Sequence, residues 1–414
     1  MKKSTAYQNL KSLIRLGCLG VVLATGISFA VPEPAHSQTK SNEPGYTLFP
    51  LAGRLAGIGT FYGLGFYLEN IASSAIDVGG GKSTGQIEAA GAGVKDLNLF
   101  GDSISLTTGV VQVDRLTMDL SYTRGLAEDD PVTQQGKAQG AALVINWKLF
   151  EPMVKFSTTF AQWNYQFESY LNAENQDEEI PLPQVHLGDL NSTFFINSLV
   201  FQLTNTPENP TSGLEIGLNL TSFTTATEFS STNTASYFVN LYLPIGENHS
   251  YVLRGFGSDA VVSSQKVTDI TEIKQILAID CSGVVSPEDQ LKCQNLRDDI
   301  ATYLAAHNEH GTAVPLGGNS MMRSYREARF RAAHSRYFGQ ELRLNFPFGE
   351  NKSFQTALFH ERGAAADDLN DISASERSSY GVALRFILGE AAIRLEAANG
   401  EEGPEWFFIV GNPW

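Results

Sequence analysis

The sequence predicts an all-β protein, a transmembrane antiparallel β-barrel, on three observations. Apolar residues recur with period two in segments of about ten residues, and polar residues hold the alternate positions. Beyond residue 30, no stretch reaches the roughly 18 consecutive apolar residues of a membrane-spanning helix. The chain also opens with an export-type leader. Lipid offers a backbone N–H or C=O no water partner, so short spanning segments have to close on one another as strands. A soluble β-sandwich alternates in the same way. The leader, the Gly and Thr in the strands and the terminal aromatics Trp406, Phe408 and Trp414 favour the membrane.

Lys2, Lys3, Lys11 and Arg15 precede an apolar run from Leu16 to Ala30, followed by Ala35-His36-Ser37. A basic head, a core too short to span a bilayer and a small-x-small site read as a secretory signal peptide over 1–37, cleaved after Ser37 or, alternatively, after Ala30. Cys18 lies inside that core and does not suit a lipoprotein cysteine. The full chain carries a formal charge of −16, and loss of the leader takes it to about −19, which argues against nucleic acid as a partner. Two cysteines remain, Cys281 and Cys293, in keeping with an oxidising compartment and one disulfide.

Residues 38–54 are expected to be a short periplasmic N-terminal segment and 55–414 the barrel. Alternation places strands at 56–69, 84–96, 102–112, 114–124, 138–148, 152–166, 191–204, 213–223, 235–244, 249–260, 336–347, 353–361, 378–387, 391–398 and 405–412. Leu214, Ile216, Leu218 and Leu220 share one face, as do Val239, Leu241 and Leu243, and Tyr380, Val382, Leu384 and Phe386; Ile393, Leu395 and Ala397 stand opposite Arg394 and Glu396. That count is odd, whereas a bacterial single-chain barrel has an even number. The first strand, near Gly57 to Tyr67, is expected to close on the last.

The longest connection, 261–335, carries a helix start at Ser286-Pro287-Glu288-Asp289: a serine cap, proline at the first position and acids at the positive end of the dipole. Leu291, Leu296, Ile300 and Leu304 follow at near-helical spacing. A Cys281–Cys293 bridge there would remove about 3 kcal/mol of unfolded-state freedom. The segment reads as an external helical cap.

Three stretches imitate catalytic or ligand-binding motifs. Gly79-Gly80-Gly81-Lys82-Ser83 lacks the leading glycine and the following helix of a phosphate loop, and reads as an external loop. His360-Glu361 has alanine at 364, where a zinc protease needs its second ligand. His307-Asn308-Glu309-His310 reads as solvated histidines rather than a metal site. No nucleophile, base and oxyanion set assembles, so a non-enzyme without metal or cofactor is expected.

Past the cap, a polar loop ending in Met322-Arg323-Ser324-Tyr325 runs into a strand with Leu342, Leu344 and Phe346 on one face and Glu341, Arg343 and Asn345 on the other. Phe359-His360-Glu361-Arg362-Gly363 follows at another strand end. This arrangement resembles the bacterial surface antigen family, the superfamily of BamA, TamA and the two-partner secretion transporters. Asp96–Gly101 looks like its turn between early strands, Asn209-Pro210-Thr211-Ser212-Gly213 like its strand entrance, and residues 378–414 like its last three strands.

The resemblance implies sixteen strands, with fourteen as the alternative, and a long external loop folding into the lumen. Arg323 and Tyr325 match the loop tip, Glu341 and Arg343 an intervening strand, and Phe359, Glu361 and Gly363 the partner strand whose acid meets the tip arginine. Ser324 stands where the family has glycine, which puts a tight left-handed turn there in doubt, and Glu361 where it has aspartate. The expected pairing is Arg323 with Glu361 through two parallel hydrogen bonds, with Glu341 as the alternative acid. Two functions stay open: outer membrane protein assembly or polypeptide translocation, or a structural, pore-like or antigenic barrel. The partners implied are outer membrane lipid, unfolded or secreted polypeptide, and a separate periplasmic chain with the POTRA modules that the family's transporters carry ahead of the barrel.

Overall fold

The computed structural model describes residues 45–69, 77–98, 103–120, 122–126, 132–150, 153–171, 190–206, 209–225, 228–277, 281–282, 286–349, 352–374, 376–388 and 391–411. The expected signal peptide, Trp414 and residues 99–101 of the Asp96–Gly101 turn lie outside them. The strands are β1 (Gly45–Leu55), β2 (Gly59–Glu69), β3 (Asp77–Gly85), β4 (Ile87–Asn98), β5 (Ile104–Leu120), β6 (Val132–Phe150), β7 (Val154–Leu171), β8 (Leu190–Thr204), β9 (Gly213–Thr225), β10 (Ser231–Ile245), β11 (His249–Ser264), β12 (His334–Gly349), β13 (Lys352–Ala366), β14 (Arg377–Leu388), β15 (Ala391–Gly400) and β16 (Gly403–Gly411). Each pairs antiparallel with its neighbours in sequence, and β1 pairs with β16, so sixteen strands form one closed barrel.

Three expectations are corrected. Residues 45–55 are not a segment ahead of the barrel but its first strand, so closure runs through Ala52 opposite Val410, Gly53 opposite Ile409 and Arg54 opposite Phe408, not through Gly57–Tyr67. The Gly79–Ser83 stretch is not a loop but the middle of β3. Its glycines admit close neighbours: a Cβ on Gly80 would stand 2.8 Å from the Gly91 carbonyl and 2.9 Å from the Phe66 ring. The segments 102–112 and 114–124 are one strand, β5, with a register shift between Val113 and Leu116. The alternation breaks at that bulge, which is why it reads as a turn.

The two faces of the wall separate as period two requires. Ile216, Leu218, Leu220, Tyr380, Val382, Leu384, Phe386 and Leu358 point outward and are exposed, while Ser379, Ala383 and Arg385 on the alternate positions are buried. Exposed rows of aliphatic and aromatic side chains are costly in water and suited to lipid.

The long connection holds α1 (Ile270–Leu277) and α2 (Pro287–His310). Ser286 caps α2 by accepting from the Asp289 N–H, and Cys281 is bonded to Cys293. The helices cover more than a surface, because Leu296, Ile300, Tyr303 and Leu304 share one hydrophobic core with Val113, Leu116, Trp163, Tyr165 and Phe194 of the barrel wall. Asn308 fixes the end of α2: its amide donates to the carbonyls of Glu228 (3.0 Å) and Val267 (2.7 Å) and accepts from the Ser230 N–H (2.7 Å).

Residues 311–333 then bond to the turns at that end of the barrel. Glu327 N–H donates to the Ala56 carbonyl (3.0 Å), Gly125 N–H to the Arg331 carbonyl (2.8 Å), and Arg329 to Glu402 (2.9 Å). Arg124 ties Asp367 to the Gly311 carbonyl.

Candidate functional site

The loop tip is seated by four strands. On β12 and β13 the buried positions are odd-numbered, which turns Glu341, Arg343, Phe359, Glu361 and Gly363 inward, and Arg385 on β14 and Glu396 on β15 join them. Register does the rest: Glu341 lies opposite Phe359, Glu361 opposite Ser379, and Glu396 between Ala383 and Phe407. Ala357, Ala383 and Ala398 pack around Phe359 and keep the floor shallow enough for a long side chain above it.

Arg323 fills that space and is 3% exposed, against 2% for Glu341 and 0% for Glu361 and Glu396. Its Nε donates to Glu361 (3.0 Å), its Nη1 to Glu341 (3.0 Å) and Glu396 (2.8 Å), and its backbone N–H to the other Glu361 oxygen (2.8 Å). The guanidinium carbon lies 3.3 Å from the centre of the Phe359 ring, a cation–π stack. The acids are satisfied in turn: Tyr337 donates to Glu361 (2.9 Å), Arg343 to Glu341 (2.6 Å), Arg385 to Glu341 (2.9 Å) and Glu396 (3.0 Å), and Arg394 to Glu396 (2.8 Å). Buried ions lose several kcal/mol of hydration each, which this geometry offsets only while every member is present.

The structure thus brings together Arg323, Tyr325, Glu341, Arg343, Phe359, Glu361 and Gly363, and alters two details. Arg323 does not grip Glu361 through two guanidinium nitrogens; one bond comes from Nε and the other from the backbone, which frees Nη1 for two further acids. The left-handed residue of the tip is Met322 (φ 56°), not Ser324. That conformation is uncommon for a side chain of this size, and Met322 is held in it by complete burial beside Leu316, Tyr325 and Phe330. Tyr325 donates to the Ser378 carbonyl (3.0 Å) and packs edge-on to Phe330 (4.7 Å between centroids).

Sequence reasoning missed Glu396, Arg385, Arg394 and Gln355 as members. The signal was their place on the polar face of the alternation; that they converge on Arg323 depends on register between strands.

The network continues away from the tip. Arg385 also donates to Gln355 (2.9 Å), whose amide donates to Asn209 (3.2 Å) in the β8–β9 turn at the opposite end of the barrel. An unbroken chain of hydrogen bonds therefore runs from Asn209 through Gln355, Arg385 and Glu396 to Arg323.

At the β1–β16 seam, Arg54 lies 4.5 Å from the Trp406 ring centre, donates to the Trp406 carbonyl and approaches Glu405 at 3.5 Å. Trp406 points outward and Phe407 inward. Among the described residues the seam pairs at three positions and β15–β16 at nine.

The histidines are placed otherwise than expected. His307 is not solvated but buried in the α2 core, with Nδ1 2.8 Å from the Thr312 hydroxyl, edge-on to Phe229. Burial, and secondarily the charge of Arg124, lowers its pKa to about 3. His360 shares a 3.2 Å contact with Gln340 on the neighbouring strand.

No protein-family model matches the sequence, and no curated protein does. Solved structures do. The structure of BamA from Haemophilus ducreyi lacking POTRA domains 1–3 superimposes with a TM-score of 0.54 at 12% identity, covering 89% of this chain and 70% of that one. CdiB from Escherichia coli gives 0.52 at 10% (91% and 63%), and CdiB from Acinetobacter baumannii 0.50 at 13% (91% and 60%). The chain thus spans 60–70% of the length of these neighbours. At such identities the likeness is one of fold, that of an outer membrane β-barrel.

Proposed function

We propose that this chain is a bacterial outer membrane barrel of the surface antigen superfamily, exported by its N-terminal signal, that takes part in the assembly or translocation of polypeptide. The observation that carries the reading is the burial of Arg323 against Glu341, Glu361 and Glu396, which supports a long connection seated as a plug in the lumen. The chain is not an enzyme in this reading and takes no cofactor. Its long connection faces the cell exterior, and a separate periplasmic chain supplies substrate recruitment.

The β1–β16 seam, with three paired positions among the described residues, supports the same reading, since an edge of few backbone bonds is where a new strand can enter. A passive pore fits less well, because α2 shares its core with the barrel wall and the tip is clamped by buried charge. Affinity purification from cross-linked membranes tests the proposal. Recovery of a periplasmic partner together with unfolded polypeptide is the expected result; steady ion conductance by the purified protein with neither captured would contradict it.

A further inference from the structure

On the outward wall of β10–β13 the apolar face is interrupted by a notch. Its volume is about 480 Å³, and its lining includes Tyr237, Val239, Gly255, Phe338, Arg336 and Arg362. Register explains the gap. Gly255 lies between Val239 on β10 and Phe338 on β12, and Gly257 between Tyr237 and Arg336. The Tyr237 ring lies over Gly257, where it would collide with a Cβ, but nothing stands within 4 Å of a Cβ placed on Gly255. One glycine is filled by an aromatic neighbour and the other is open to the membrane.

The depth of this notch is set by the apolar belt. On β12 the outward aromatics run from Phe338 through Phe346 to Phe348, all exposed, a span of roughly 25 Å along the membrane normal at the usual rise and tilt of a barrel strand. Phe338, Tyr237 and Tyr380 are among the exposed aromatics on the side of the long connection, where aromatic girdles meet lipid headgroups. Arg336 is the next outward residue beyond Phe338, and Arg362 lies opposite Phe338 on β13.

Both arginines have acidic neighbours. Arg336 pairs with Asp259 (2.8 Å), which His334 also approaches (2.7 Å), and donates to the Ser258 carbonyl (3.0 Å). Arg362 pairs with Glu376 at 3.3 Å, with side chains 57% and 50% exposed. An exposed pair of that kind contributes little, so a doubly charged phosphate can take the guanidinium from the carboxylate.

We infer that the notch binds a phosphate-bearing lipid of the outer leaflet, one acyl chain over Gly255 and the phosphate on Arg362 with Arg336 beside it. The inference rests on the membrane placement of the barrel and not on its handling of polypeptide. The Arg362 guanidinium, held only by an exposed ion pair, takes the anionic headgroup, and the missing side chain at Gly255 gives the acyl chain depth there.

The test is native mass spectrometry of the full-length protein after detergent exchange against vesicles of phosphatidylethanolamine with a phosphorylated glycolipid. The wild type should retain one glycolipid. Gly255→Leu, whose Cβ would meet nothing within 4 Å, and Arg362→Ala should each cut retention about tenfold, while Leu218→Ala on another part of the wall should not. All should keep the heat-modifiable migration of a folded barrel; loss of that property in the wild type would instead overturn the membrane reading. Equal retention by Gly255→Leu and Arg362→Ala, or displacement of the lipid by inorganic phosphate alone, would overturn the site.

Discussion

A Cβ added to Gly363 would stand 2.8 Å from the sulfur of Met322, so the wall is kept bare where the loop tip comes to rest. Gly400 has the same relation to Ser324, whose hydroxyl would overlap its Cβ. Gly363→Ala and Gly400→Ala should therefore lift the tip, at about 1–3 kcal/mol each. Limited proteolysis of intact cells should cut the 311–333 connection faster in both, and unchanged cleavage would mean that the tip is not seated as described.

Gln355 joins the two ends of the barrel. Replacing it with leucine keeps its bulk but leaves Arg385 and Asn209 without that partner. The expected cost is about 1–3 kcal/mol, with faster hydrogen exchange at the β8–β9 turn and at the tip together. Exchange that rises at the turn alone would show that the chain of bonds carries no coupling.

His307 gives the α2 region a pH dependence of defined sign. Its folded pKa of about 3 lies below the value of about 6.5 that it regains when unfolded. The unfolded chain therefore takes up the proton first, so the contribution is complete above about pH 6.5 and declines as the pH falls towards 3. Asp367, held low by burial-resistant bonds from Arg124, adds its loss only below the usual aspartate range. Between pH 7 and 5 the melting midpoint of the α2 region should fall in the wild type and stay flat in His307→Phe; parallel slopes would assign the effect elsewhere.

Much of this arrangement is legible in the sequence. Alternation around Glu341-Arg343 and Arg394-Glu396 announced inward charge, and Ser286-Pro287 announced α2. What was hidden had physical causes. β1 contains Pro50, which breaks the strand pattern, while β3 is built around three glycines whose role is to admit neighbouring strands. The helical spacing of Leu296, Ile300 and Leu304 marks one buried side of α2, but Ala301, Tyr303, Ala305 and His307 are buried too, because the helix shares its core with the barrel wall. Three acids around one arginine cannot be read from spacing, since Glu361 and Glu396 belong to different strands.

Closure of the barrel predicts a specific crosslink. Cysteines at Ala52 and Val410 should join in membranes, as should the control pair at Val382 and Ala397 on β14 and β15. A cysteine at Tyr62 should not join one at Val410, because β1 lies between β2 and β16. A crosslink through Tyr62 with none through Ala52 would displace β1 from the wall.

The lock between Arg323 and Glu361 is measured most directly by a double-mutant cycle on the unfolding midpoint of the purified barrel. Arg323→Ala leaves three carboxylates around an empty space, and Glu361→Ala leaves Arg323 with two acids, so the first should cost about 3–5 kcal/mol and the second less. Arg323→Lys should not restore the wild type, because an ammonium cannot reach Glu341, Glu361 and Glu396 in the fork geometry of a guanidinium. The account predicts that the double variant costs less than the sum of the singles by more than about 1 kcal/mol. Additive effects, each within about 0.5 kcal/mol of zero, would contradict it.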